Sequence, residues 1–305
     1  MLRVFFKETN KMKMYVLLTA AIMFGMVAPV FAVPPGQPGD LHGTIGYTYD
    51  TLYVFRGFLT YGSTSGSHAF IDLDLFGSGF HFETIYNRAN DGGYELGQRF
   101  DFSPYYAGAV APEERYATMY KVGYRYFNYP QMSATHSDQC IDLQEVYAGF
   151  AFPKLFGVKG LVPGYVFVKG WPSMHDTVVG EDNPCRGSYS GTAHVFMLDY
   201  ALPLENISAE IPKQNLDFHI ETVYNNHMDP RPCGGYTTSD WTHVMFGVST
   251  DFDLGHNLTF TPGLWHQITF EDDGREQIPG VLTSTKGVSP DHDITWATLT
   301  VKYNF

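Results

Sequence analysis

Polar and apolar positions alternate with period two through most of this chain. The clearest case is Ile294 to Phe305, ITWATLTVKYNF. Thr295, Ala297, Leu299, Val301, Tyr303 and Phe305 fall on one face, and Ile294, Trp296, Thr298, Thr300, Lys302 and Asn304 on the other. Side chains of a strand alternate faces, so one face is mostly apolar and the other mainly polar below Trp296. A soluble protein rarely leaves such an edge uncovered. A strand of a membrane barrel needs it, with apolar residues to lipid, polar residues to the lumen and aromatics at the interface.

Similar segments recur at 42–55, 67–75, 79–87, 95–105, 116–127, 140–152, 160–170, 192–202, 215–225, 241–252, 257–270 and 292–305. They predict an all-β, antiparallel transmembrane barrel of about 12 strands, an even number as single-chain bacterial barrels have. The connections alternate in length. Phe76-Gly77-Ser78, Pro153 to Lys159 and Asp253 to His256 are short, whereas 56–66, 128–139, 171–191, 226–240 and 271–291 are long and polar. Short turns at one end and long loops at the other are a barrel property; a β-sandwich supplies many strands but no such asymmetry. The linkers 203–214 and 88–94 fit this rule poorly.

Alternation also assigns faces. Ile45, Tyr47, Tyr49, Tyr53 and Phe55 point outward, as do Tyr116, Tyr120, Val122, Tyr124 and Tyr126, and Val244, Phe246, Val248 and Phe252. Thr48, Asp50, Arg56, Lys121, Arg125, His243, Ser249 and Asp251 point inward. The segment 140–152 does not resolve, because Glu145 shares a face with Ile141, Leu143 and Tyr147; a bulge is one way to separate them.

Aromatics make up 16% of the chain and charged residues only 17%, figures that aromatic girdles and a lipid-facing band explain. The N-terminus has Arg3, Lys7, Lys11 and Lys13, then an apolar run from Met14 to Val27 and small residues at Val30-Phe31-Ala32. This reads as a secretory signal peptide over 1–32, too short to span a bilayer comfortably, with Met12 and Met14 as alternative starts. A periplasmic segment 33–41 and the barrel 42–305 follow. Removing 1–32 takes away four basic residues and one acidic one, leaving 15 Lys+Arg against 31 Asp+Glu, a net charge of −16. Such acidity argues against nucleic acid as a partner and suits a cation-preferring pore. Cys140, Cys185 and Cys233 lie in or beside long loops in an oxidising compartment. Cys185 with Cys233 is the candidate disulfide and Cys140 with Cys185 its rival, since both pairings join neighbouring loops.

Residues 80–91, FHFETIYNRAND, are echoed at 218–229 by FHIETVYNNHMD, with seven of twelve positions identical. These are strands three and nine. Fainter echoes join YVFRG (53–57) to YVFVKG (165–170), and His68-Ala69-Phe70 to His194-Val195-Phe196. The barrel therefore reads as two duplicated six-stranded halves. Duplication sets His81, Glu83 and Asn87 across the lumen from His219, Glu221 and Asn225. With Asp50, Arg56, Asp72, Asp74, Lys121, Arg125 and Asp217 they are the candidate lumen-lining residues.

Tyr53-Val54-Phe55-Arg56-Gly57, the strand pair AFIDLDLFGSGFHFETIYN at 69–87, and Val122 to Pro130 with Glu145-Val146-Tyr147 downstream resemble the TorF-like family of outer-membrane porins. The resemblance covers roughly residues 42–150. It implies an outer-membrane barrel and brings no site residues with it.

Enzymatic chemistry is not expected. Gly62-Ser63-Thr64-Ser65-Gly66 has the wrong spacing for a nucleophile elbow, and no Ser or Cys accompanies His81 and Glu83. His136, Asp138 and Cys140, His175, Asp176 and Cys185, and His227, Asp229 and Cys233 supply metal-ligand types in three loops, but without the tight Cys-x-x-Cys spacing of a zinc site. No cofactor or metal is expected. The expected function is passive diffusion of small hydrophilic solutes through a narrow, cation-leaning channel of the bacterial outer membrane. Its partners are outer-membrane lipids and lipopolysaccharide, those solutes, and the barrel-assembly machinery, because the strand ending at Phe305 is similar to the C-terminal signal of outer-membrane barrels. The alternative is a non-conducting barrel whose acidic loops bind a partner, lipopolysaccharide or metal. Salt bridges across the lumen would favour the latter.

Overall fold

The computed structural model describes residues 40–130, 142–172, 190–205, 213–228, 239–270 and 293–305. The segment 1–32 read as a signal peptide, all three cysteines and most of the long loops expected from sequence lie outside them. The strands are β1 (His42–Asp50), β2 (Gly66–Asp74), β3 (Phe80–Ala89), β4 (Arg99–Val110), β5 (Thr118–Asn128), β6 (Leu143–Ala151), β7 (Leu161–Pro172), β8 (Gly191–Glu205), β9 (Lys213–Asn226), β10 (Asp240–Ser249, continued at Phe252–Gly255), β11 (Leu258–Thr269) and β12 (Asp293–Asn304). Each pairs antiparallel with its sequence neighbours, and β12 returns to β1 from Thr44↔Asn304 to Asp50↔Thr298, closing the barrel. The result is a closed antiparallel barrel of twelve strands.

Closure is what a membrane demands, because an open edge would leave backbone donors and acceptors unpaired in hydrocarbon. It reaches the chain end: Gly43 and Phe305 exchange backbone hydrogen bonds at 3.1 and 3.0 Å. The outer face carries exposed large apolar residues such as Ile45, Tyr47, Val122, Phe218, Phe246, Leu264, Leu299, Val301 and Tyr303. Ring pairs Phe80–Tyr106 and Tyr303–Phe305 lie near the short-turn end, while Tyr224–Trp241 and Tyr124–Trp171 lie near the other.

Two assignments are corrected. β1 stops at Asp50, and Tyr53 and Phe55 are buried instead of facing lipid. Their alternating letters belong to an inward-folded loop, described below. In β6 the register against β5 and β7 is continuous from Leu143 to Ala151 with no bulge. Leu143, Glu145 and Tyr147 all point inward because this sector of the lumen is itself packed. Val54, Tyr105, Tyr147, Val166, Val195, Met197, Val223 and Trp296 belong to one buried cluster inside the barrel.

Inward glycines make room for that packing. Gly46 faces Phe70 and Gly247 faces Trp265 across their strand pairs. A Cβ on either glycine would lie 2.2 or 2.1 Å from the opposing ring. Each ring lies over the neighbouring backbone, which fills the interior and pins the register.

Candidate functional site

The segment between β1 and β2 turns into the barrel. Val54–Phe55 pairs with Phe58–Leu59 in a small ribbon that reverses at Arg56 (φ 52°) and Gly57 (φ 83°). Two successive residues at positive φ are the signature of a type I′ turn, whose twist matches the ribbon. Glycine takes that conformation freely, but arginine does so at a cost, so its surroundings must hold it. Its guanidinium is ion-paired with Glu145 of β6. Nη1 lies 3.9 Å from Met228 Sδ, and Cζ is 5.0 Å from the Phe55 ring centre and 6.0 Å from that of Phe127. On the other side, Gln267 Nε2 of β11 donates to the Gly57 carbonyl at 2.9 Å. A Cβ at Gly57 would sit 2.5 Å from His243 Nδ1 of β10. β6 and β11 belong to near-opposite walls of the ring, so loop 51–65 crosses the lumen.

Aromatic side chains seat this loop. Tyr53, Phe55 and Tyr61 form a buried cluster with Tyr94, Phe127, Tyr129 and Leu143. Arg99 stands in the cluster. It is ion-paired to Asp101 at 2.5 Å, donates from Nη2 to Tyr53 Oη at 3.0 Å, and has Cζ 4.3 Å from the Phe55 ring centre and 4.7 Å from that of Phe127. Tyr61 Oη donates to the Gly97 carbonyl at 3.2 Å. Burial raises the pKa of the Tyr53 and Tyr61 hydroxyls above the ordinary range, so both remain neutral donors.

The inward residues expected from sequence are distributed around this loop. Asp50 lies 3.0 Å from His68 Nε2. Asp72 accepts from Tyr105 Oη at 2.5 Å and lies 3.6 Å from His81 Nδ1. His81 stacks on the Tyr105 ring at 4.6 Å. Asp74, at the end of β2, accepts from the Gly77 amide at 3.0 Å. Arg125 bridges Glu83 (3.4 Å) and Glu145 (3.7 Å). The fully buried Lys121 ammonium sits 3.6 Å from the Tyr105 ring centre and 5.8 Å from that of Tyr147. Asn87 donates to Asp101 at 3.1 Å and bonds His68 at 2.7 Å.

The echoed strand β9 lies six positions round the ring from β3. Its Asp217, His219, Glu221 and Asn225 are also buried inside, but their partners differ. His219 Nδ1 is 2.6 Å from Asp199, and Glu221 is 3.8 Å from both His219 and His243. Asn225 Nδ2 donates to the Met228 carbonyl at 2.5 Å and its Oδ1 accepts from the Met228 amide at 3.1 Å. Asp217 faces Ala201 and Ser249.

Sequence reasoning misses the roles of Arg99, Asp101 and Glu145. Arg99-x-Asp101 has strand spacing, so both point inward. Glu145 becomes legible only if a lumen is allowed to be partly apolar. The candidate pair Cys185 and Cys233, and Cys140, lie outside the described residues. So do the loop metal sets, except for His227. Among the described residues no group of three or more His, Cys, Asp or Glu side chains is placed to hold a metal.

Comparison with solved structures returns outer-membrane barrels. The NanC porin aligns over 87% of this chain and 100% of its own, at 8% identity and a TM-score of 0.49. An outer-membrane channel from Pseudomonas putida F1 aligns over 90% and 97%, at 12% identity and 0.47. The KdgM porin aligns over 86% and 99%, at 9% identity and 0.45. No family model matches the chain, and no curated protein does. The similarity to TorF-like porins therefore rests on the short motifs alone.

Proposed function

We propose that this protein is a narrow porin-like channel of the bacterial outer membrane, passing small hydrophilic solutes and favouring cations. One observation carries the reading: the inside of a closed barrel is lined by charged groups of unequal number. Among the described residues, eight carboxylates (Asp50, Asp74, Glu83, Asp101, Glu145, Asp199, Asp217 and Glu221) are buried, against five Lys and Arg (Arg56, Arg99, Lys121, Arg125 and Lys302) and four His (His68, His81, His219 and His243), so the acids outnumber the permanently charged bases. Excess carboxylate in a low-dielectric conduit lowers the free energy of a passing cation and raises that of an anion. Lipid and lipopolysaccharide are the surroundings this reading implies. The strand ending at Phe305 is the handle for barrel assembly, and membership of a TorF-like group is the relationship that the motifs support. No catalytic constellation enters the reading.

Planar-bilayer recording of the refolded protein tests it. Discrete conductance steps and a cation-positive reversal potential in a salt gradient are expected. Anion preference would overturn the selectivity.

A second reading, a non-conducting barrel whose acidic loops bind a partner, has its own observation. The lumen is crossed by loop 51–65, and within the lumen Arg56, Arg99 and Arg125 are ion-paired and buried. Absence of any conductance from verified barrels would select it.

A further inference from the structure

The pocket that holds Arg56 is built like a receptor for a cation. Its floor is the carboxylate of Glu145, 1% exposed as a residue. Phe55 and Phe127 place ring faces within 5.0 and 6.0 Å of the guanidinium carbon, and the Met228 thioether lies 3.9 Å from Nη1. A carboxylate with aromatic faces and a polarizable sulfur is the chemistry that selects planar, weakly hydrated cations over compact, strongly hydrated ones. Two of these groups belong to barrel strands, Glu145 to β6 and Phe127 to β5, and Met228 follows β9, where its amide and carbonyl are hydrogen-bonded to the Asn225 side chain. Only Phe55 travels with the loop. The barrel therefore keeps most of the pocket if the loop leaves. Arg125, 3.7 Å from Glu145 and 3.4 Å from Glu83, holds the Glu145 carboxylate in place without filling the Arg56 position.

We infer that Arg56 is an internal occupant of a guanidinium-binding site in the lumen, and that guanidinium-bearing solutes compete with it for Glu145. This deepens the channel reading by naming the class of cation that the constriction recognises. Binding and loop release are linked. A solute that takes the Glu145 position removes the ion pair that holds Arg56 in its left-handed conformation, and it favours the state with the loop withdrawn by as much as it binds that state better.

The test uses guanidinium chloride as probe, at millimolar concentration and constant ionic strength. It is applied to refolded full-length protein whose barrel is verified by heat-modifiable migration. Arg56→Ala vacates the Arg56 position and leaves Arg125 beside Glu145 and Arg99 on the Phe55 and Phe127 rings. Calorimetry of Arg56→Ala in detergent micelles should show saturable guanidinium binding that matched sodium chloride does not reproduce. Arg56→Ala/Glu145→Gln should weaken that binding about tenfold or more, the worth of a charge-assisted hydrogen bond. In bilayers the Arg56→Ala conductance should exceed wild type and fall back when guanidinium is added.

No binding by folded Arg56→Ala, or equal binding by the double variant, overturns the assignment whatever the conductance. Binding without conductance keeps the site and overturns the channel. If Arg56→Ala does not fold, wild type decides: millimolar guanidinium should raise its conductance, or its protease sensitivity at Arg56, more than sodium does. No difference overturns the inference.

Discussion

Gly247 has no room for a side chain: its Cβ would meet the Trp265 ring at 2.1 Å. That indole donates to Thr298 at 3.1 Å and stacks on Trp296 at 6.3 Å, so it cannot shift without breaking contacts on β12. Gly247→Val should destabilise the barrel by about 1–3 kcal/mol, the usual cost of overpacking, read as a lower urea midpoint on semi-native gels. Gly92→Ala is the control, since its nearest obstacle is a Glu95 oxygen at 3.9 Å. An unchanged midpoint for Gly247→Val would show that the lumen is loosely packed. Glu145 answers a second question. With its charge removed, Arg56 keeps no carboxylate partner, and Glu145→Ala should cost about 3–5 kcal/mol, as breaking a buried pair from one side does. Period-two alternation assigns Asp50, Glu83, Lys121, Arg125 and Glu221 to one face, and all five are buried. It could not rank them, because ion pairing depends on which strands are neighbours and on how far each side chain reaches. Tyr53 and Phe55 were misplaced for a related reason. Aromatic letters at spacing two fit a lipid-facing strand and a loop that buries its rings equally well.

At the scale of elements, loop 51–65 and strand β12 are the two to perturb. The loop holds its place through Arg56, Gly57, Tyr53 and Tyr61. Deleting 53–60 and joining the ends should leave the barrel folded, because each strand keeps its ladder, and should raise single-channel conductance several-fold. Equal conductance would mean that the loop does not obstruct the path. In β12, the pairs from Asp293 to Tyr303 against β11 and from Thr298 to Asn304 against β1 seal the ring. Phe305 ends it with two backbone bonds to Gly43. Deleting Phe305 should reduce assembled protein in the outer-membrane fraction, measured by heat-modifiability after pulse labelling. Assembly at the wild-type rate would remove any role for the terminal aromatic. The strand count, the order and the echo of β3 in β9 were legible because each strand carries its own pattern. The inward fold of the loop was not, since it rests on Glu145, Met228 and Gln267, all more than 80 residues away in sequence.

For the whole molecule, the excess of buried carboxylates sets the expected sign of selectivity. Glu83→Gln with Glu221→Gln removes one acid from each of two opposite walls, and the reversal potential in a salt gradient should move toward zero. An unchanged reversal potential would indicate that Arg99, Lys121 and Arg125, and not these two acids, govern the narrowest point. The inward course of loop 51–65 also bears on what the cell displays. In the orientation usual for such barrels, the long-loop end faces the medium, where antibodies, phages and proteases search for purchase. Asp91, Gly92 and Gly93 are exposed at that end, whereas Tyr53 to Arg56 and Tyr61 are buried within it. An epitope tag inserted at Gly92 would be stained on intact cells, and one at Gly57 would be invisible until the barrel is unfolded. A sequence that looks like a surface loop would thus be, to the outside world, an interior.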